Sequence, residues 1–178
     1  MDRAVFLDRD GVLNRSAVRN GRPYAPTSLA ELALLPGVVE ALTQLREAGF
    51  RLIVVTNQPD VGAGKVSVDI VEQINRQLRQ ELPIDDIKVC YHQDKDQCPC
   101  RKPKPGMILA AAKEWSIDLG RSYMVGDRWR DVSAGRAAGC KTIFVDQGYS
   151  EPHRDQPDYV VTSLREAARI MCRQEMID

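Results

Sequence analysis

No stretch of this chain stays apolar for anything near the ~18 residues that would span a membrane, and its start, M-D-R-A-V-F-L-D-R-D, lacks the basic-then-apolar pattern of an export signal. Neither sign of charge dominates: 25 basic residues cancel 25 acidic ones, which removes the basic field that nucleic-acid or membrane-surface binding would require. Repeats, low-complexity tracts and Pro/Gly linkers are also missing. Nothing therefore divides the 178 residues, and at 43% hydrophobic they can bury a core without disulfides. Cysteine is scarce and odd in number. Of five, three (Cys90, Cys98 and Cys100) fall within eleven positions, too close for a disulfide framework and better suited to metal-bound thiolates in a reducing compartment. The expectation is one cytoplasmic, monomeric domain over residues 1–178, with no nucleic-acid or membrane partner.

What is present is an alternation of short β-rich runs with helical patterns, the signature of βα units and a mainly parallel sheet. Strands are expected at Ala4–Leu7, Arg51–Thr56, Ile87–Tyr91, Tyr123–Val125, Lys141–Val145 and Tyr159–Val161. Helices are expected at Val38–Glu47, from Ser67 through Leu82, and at Met107–Trp115, Asp131–Ala138 and Leu164–Cys172. Ser67 is a natural N-cap, and Gly49 and Gly139 are natural stops. Two segments read as neither strand nor helix: Arg9 to about Leu34, and His92 to Pro105. Each begins where a strand ends, which is where open α/β sheets bind ligands.

Acids and a hydroxyl gather at those ends. The first strand runs into D-R-D-G-V-L-N (Asp8, Asp10), the second into T-N-Q (Thr56, Asn57, Gln58), and the fourth into G-D-R-W-R-D (Asp127), while the loop after the third strand carries Lys102. Phosphoryl transfer needs such a set. A phosphate ester repels an attacking carboxylate, so a cation must sit between them, and Mg²⁺ suits carboxylate ligands such as Asp8 and Asp127. Asp8 can attack phosphorus while Asp10 serves as general acid and then base, with Thr56 and Lys102 on the transferring oxygens.

D-R-D-G-V-L-N, T-N-Q, R-K-P-K-P and V-G-D-R-W-R-D, in that order over residues 8–131, closely resemble the four motifs of haloacid dehalogenase (HAD) superfamily phosphatases. The resemblance implies a Rossmann-like three-layer α/β sandwich with a mainly parallel central sheet. The first acid would be the nucleophile and the second the acid/base, and the backbone carbonyl of Asp10 would join Asp8 and Asp127 on Mg²⁺. Asp131 would stand behind the metal ligands. Neither gap where the superfamily inserts a cap is long enough for a large one, so Asn14–Leu34 is expected to form at most a small flap, from which Asn14, Arg15 and Arg19 could reach substrate.

C-x-H-x5-C-x-C, Cys90, His92, Cys98 and Cys100, offers four ligands of the kind Zn²⁺ prefers and no open position, which predicts a structural site within a loop at 90–105. Arg101 and Lys102 follow without a gap, so fixing the loop fixes them. Cys140, Cys172 and Trp115 are expected in the core, His153 on the surface and Trp129 beside the site.

Two small capless branches of the superfamily share this zinc loop. One acts on a heptose bisphosphate and the other on histidinol phosphate. T-N-Q resembles the former, and the short gap from His92 to Cys98 the latter. A bisphosphate would need a second anion site, for which Arg101 and Arg128 are the candidates, with Asn57 and Gln58 also near substrate. Histidinol phosphate would instead want acids, and Asp94 and Asp96 are the ones at hand. The reading favours the heptose bisphosphate, a small phosphorylated sugar, with histidinol phosphate as the alternative; a zinc-stabilised phosphosugar-binding protein without turnover is the third.

Overall fold

Ala4–Leu7 (β1) is four apolar residues with no polar face, as in a strand covered on both sides, and it lies at the centre of the molecule. The computed structural model describes residues 1–152 and 154–174. After β1 come Ala17–Arg19 (β2), Arg22–Tyr24 (β3), Val38–Glu47 (α1), Arg51–Asn57 (β4), the single turn Pro59–Gly62 (α2), Val68–Glu81 (α3) and Asp86–Cys90 (β5). Gly106–Glu114 (α4), Tyr123–Gly126 (β6), Trp129–Ala138 (α5), Lys141–Val145 (β7), Tyr159–Val161 (β8) and Leu164–Gln174 (α6) complete the chain.

The main sheet runs β5-β4-β1-β6-β7-β8, every neighbouring pair parallel. Alternate residues feed two cores. Val5, Leu7, Leu52, Val54 and Val125 face Leu42 and Leu45 of α1, Leu78 of α3 and Met171 of α6, whereas Phe6, Ile53, Val55 and Met124 face Ile108 and Ala111 of α4 and Ala134 of α5. The three-layer sandwich expected from the sequence is therefore the one that forms. Helix starts follow local chemistry: the Ser67 hydroxyl accepts from the Ile70 amide and caps α3.

The strand order reverses at β1, whose neighbours are β4 on one side and β6 on the other. That reversal opens a crevice at the carboxyl edge, where Asp8 emerges with its amide bonded to the Val125 carbonyl at 2.9 Å. No cap domain interrupts the gaps on either side of β4. The expectation that residues 9–34 hold no strand is corrected, because β2 and β3 pair antiparallel as a hairpin, in the register Ala17↔Tyr24. Asn20 and Gly21 at its tip both have positive φ (51° and 71°), as a tight two-residue turn demands. A short 3-10 turn at Asp94–Asp96 likewise interrupts the second segment. Cys140 is buried in the core, Cys172 and Trp115 only flank it, and the Trp115 indole N–H donates to Asp86 at 3.1 Å. His153 lies outside the described residues.

Gly126 ends β6 and lets α5 approach. A Cβ there would lie 2.1 Å from the Asp131 Cβ. Gly126→Ala should therefore cost roughly 1–3 kcal/mol or more in a urea unfolding curve, since backbone atoms must shift at the end of the strand.

Candidate active site

The Lys102 ammonium is almost wholly buried and its three protons find three acceptors: Asp8 Oδ1 at 2.9 Å, Asp131 Oδ1 at 2.7 Å and the Val55 carbonyl at 2.7 Å. Burial alone would depress this amine, but the charges of Asp131 and Asp8 outweigh it and hold the group above its ordinary range. Lys102 is aimed by its neighbours. The Asn57 side chain clamps its backbone at both ends, donating to its carbonyl at 3.0 Å and accepting from its amide at 3.1 Å; the Lys102–Pro103 peptide is cis.

Asp8, Asp127 and Asp131 converge so that one oxygen of each lies within 4.8 Å of the others. Three carboxylates against one ammonium leave negative charge in a buried place, a combination that asks for a divalent cation. The three acids differ in what remains free. Asp131 spends one oxygen on Lys102 and the other on the Arg128 amide at 3.0 Å, whereas no donor meets either oxygen of Asp127 in good hydrogen-bond geometry, although the Tyr149 hydroxyl lies close enough to favour its charge. Burial first, then the charges of Asp8 and Asp131, push the Asp127 carboxyl well above the usual range, and burial and Asp8 push Asp131 up to about 6. The unpartnered oxygens and the hard donor set fit Mg²⁺. Gly11 makes the approach feasible: its φ is +84°, and a Cβ there would lie 1.8 Å from Asp127 Oδ2.

The Asp10 side chain lies apart from this trio, in keeping with an expectation that gave the metal only its backbone carbonyl. Its carboxylate accepts from Arg9 Nε and Nη2, Asn14 Nδ2 and Gln58 Nε2 at 3.2, 3.3, 2.9 and 2.8 Å. Asn14 is completely buried in that role instead of reaching out from a flap, and Arg15 is exposed, away from the cavity wall. Thr56 is also fully buried, its hydroxyl 3.0 Å from Gln58 Nε2.

A cavity of about 310 Å³ opens over these groups. Asp8, Asp10 and Lys102 line it, Pro23 and Tyr24 of the hairpin form one wall, and Arg101, Arg128 and Arg130 form the rim. Arg128 is engaged elsewhere, in a fork to Glu151 at 2.6–2.9 Å. Arg130, to which the sequence assigns no role, joins Arg101 on a single carboxylate: Asp94 accepts from Arg101 at 2.8 Å and from Arg130 twice at 3.0 Å. Trp129 supports this rim, with the guanidinium of Arg130 4.8 Å from its ring centroid.

Cys90, His92, Cys98 and Cys100 close into one cluster, with sulfurs 3.1, 3.4 and 3.7 Å apart and His92 Nδ1 3.4 and 3.6 Å from two of them. Zn–S bonds of about 2.3 Å in tetrahedral geometry put sulfurs ~3.8 Å apart, so the cluster has nearly the dimensions of a zinc site. All three thiols are free of disulfides. Burial pushes Cys90 up to about 12, and it also opposes the fall of Cys98, which bonds with Cys100, the Arg101 amide and Cys90 carry down to about 7.

The family model for HAD-hydrolase-like proteins matches residues 99–167. A D-glycero-beta-D-manno-heptose-1,7-bisphosphate 7-phosphatase of Pasteurella multocida is 35% identical to this chain over 185 residues, covering 96% of this chain and 97% of that protein. The enzyme of the same name from Haemophilus influenzae is also 35% identical, covering 97% and 98%. Among solved structures, D,D-heptose 1,7-bisphosphate phosphatase from B. bronchiseptica, complexed with magnesium and phosphate, superposes with a TM-score of 0.80 at 29% identity, covering 97% of this chain and 99% of that one.

Elemental analysis of purified protein should find about one zinc per chain, and Cys98→Ser should lose it together with several degrees of Tm. For the acid cluster, millimolar Mg²⁺ should raise Tm by roughly 3–6 °C. Carboxyls raised in the folded state weaken the fold as pH climbs above their unfolded values, and protons compete with the cation below the raised ones, so the Mg²⁺ shift should shrink between about pH 7.5 and about pH 5. Asp127→Asn should raise the metal-free Tm while abolishing most of that shift, as read by calorimetry.

Proposed function

The chain belongs to the HAD-like hydrolases, in the family of D-glycero-D-manno-heptose-1,7-bisphosphate 7-phosphatases, and from that membership we propose that it removes the 7-phosphate of this heptose bisphosphate through an aspartyl-phosphate on Asp8. It is a phosphoric monoester hydrolase. The pathway proposed for it is the synthesis of the heptose of the lipopolysaccharide core.

The observation that carries the mechanism is the meeting of Asp8, Asp127 and Lys102 at the floor of an arginine-rimmed cavity. Mg²⁺ on Asp8 and Asp127, with the Asp10 carbonyl as the family resemblance implies, supplies the positive charge that lets a carboxylate approach a phosphate. Both protein contacts to Asp8 fall on Oδ1, from Lys102 and from the Arg9 amide at 2.8 Å, which leaves Oδ2 as the attacking atom. Lys102 orients that carboxylate and draws the transferring oxygens toward it. Asp10, whose oxygens each accept two N–H groups, exchanges one of those contacts for a proton; it gives that proton to the departing sugar oxygen, then takes one from the water that cleaves the acyl phosphate. Zn²⁺ on Cys90, His92, Cys98 and Cys100 is structural in this reading: it holds the loop that delivers Arg101 and Lys102.

Charge at the rim favours the bisphosphate over histidinol phosphate. A substrate bearing an ammonium and an imidazole would need free acids, yet Asp94 is taken by two arginines and Asp96 accepts from the Gln93 amide at 2.7 Å. A second phosphate would compete with Asp94 for Arg101 and Arg130, two guanidinium groups that already converge on one anionic group.

Phosphate release measured with Mg²⁺ on one preparation tests both parts of the proposal. kcat/KM for the heptose bisphosphate should exceed that for histidinol phosphate by at least about 100-fold, the scale on which a mismatched charged group is rejected. Asp8→Asn should lower kcat by about 10³-fold or more with the urea midpoint little changed. Substantial turnover by that variant would remove Asp8 from the nucleophile's role.

A further inference from the structure

Arg9 stands between the two acids of D-R-D, and its side chain has no exposure to solvent at all. A guanidinium removed from water must find acceptors for its donors, and the acceptors it finds are informative. Nε and Nη2 fork onto the two oxygens of Asp10 at 3.2 and 3.3 Å, while Nη1 donates to Asn75 Oδ1 at 2.9 Å. Asn75 is itself buried and sits on α3, a helix that contributes no residue to the cavity wall. A continuous hydrogen-bonded line therefore runs from α3 through Asn75 and Arg9 to the one carboxylate expected to move protons.

Packing does not account for this arrangement, because an aliphatic side chain of that size would fill the space without a charge to desolvate. Neither would lysine substitute, since only a planar guanidinium can grip both oxygens at once. Asn14 and Gln58 complete the grip, one on each oxygen, so four N–H groups define a single orientation of the Asp10 carboxylate.

We propose that Arg9 is a positioning residue for the proton-transfer steps, setting the Asp10 rotamer through its anchor on Asn75. The proposal rests on the acid/base reading of Asp10 given above. As the bond between Asp8 Oδ2 and phosphorus forms, the bond from phosphorus to the sugar oxygen breaks; its electron pair stays with that oxygen, which leaves as an alcohol after taking the Asp10 proton. A leaving group already stable as an anion, such as p-nitrophenolate, needs no such proton.

The test compares kcat/KM for the sugar phosphate with that for p-nitrophenyl phosphate, a ratio fixed at the leaving-group step. Arg9→Met should lower the first by about 10- to 100-fold and the second by less than about 3-fold, a share of the 10²–10⁴ that general acid catalysis supplies. Asn75→Ala, farther from the chemistry, should show the same selectivity at about 3- to 10-fold, and it decides the matter if Arg9→Met does not fold. Equal losses on both substrates, or no loss on either, overturn the positioning role. Asp10→Asn is the parallel control. Selective loss there with none in the other variants overturns the assignment of Arg9 alone, whereas an unselective Asp10→Asn overturns the reading of Asp10 beneath it.

Discussion

A buried ammonium among buried carboxylates is the constraint around which this molecule is arranged. Lys102 is worth burying only because Asp8 and Asp131 meet it at hydrogen-bonding distance, and those acids come together only because β1 and β6 are neighbours in a parallel sheet. Removing one partner from such a set leaves an uncompensated charge, which costs far more than the intact set contributes. The close approach of α5 to Gly126, the clamp of Asn57 and the left-handed turn at Gly11 all serve one end: bringing these groups together without a clash.

The other half of that constraint is a loop with no apolar core of its own. Residues 91–105 carry Lys102 into the cluster, and their internal order comes from Cys90, His92, Cys98 and Cys100 and from the Lys104 ammonium, which donates to the Gln97 and Cys98 carbonyls at 3.2 and 3.0 Å. Arg130 ties the same loop to α5 through Asp94 and through the Lys102 carbonyl at 3.2 Å. The two acid-bearing edges and the loop are thus joined by polar contacts, with Cys98 and Cys100 as the loop's link to the apolar core.

Much of this could be read from the chain because the chemistry sits at strand ends, and strand ends are visible as breaks in apolar runs. Asp8, Asp127 and Lys102 were legible by residue type and position, as were the four residues of the cysteine loop by spacing. What escaped depended on direction. Arg9 and Arg130 look like solvated charge in a sequence, and nothing local reveals that one turns inward to Asp10 and Asn75 while the other turns toward Asp94. Arg128 matched a plausible anion site until its Glu151 partner, 23 positions away, claimed it. Asn14 belonged to a motif but pointed the other way from the expectation. The hairpin is a different case: Asn20-Gly21 is a strong turn signal, but it stood between three-residue strands, one containing Pro23, too short and irregular to show alternation.

Asp8 and Asp131 lie roughly 120 residues apart in the chain, and the cluster they form with Lys102 draws on three separate strand-to-helix connections. No local segment contains a working fraction of it. A growing polypeptide cannot assemble this centre until α5 has emerged and docked. Assembly of this acid cluster is a report on long-range order: it exists as such only in the finished tertiary structure.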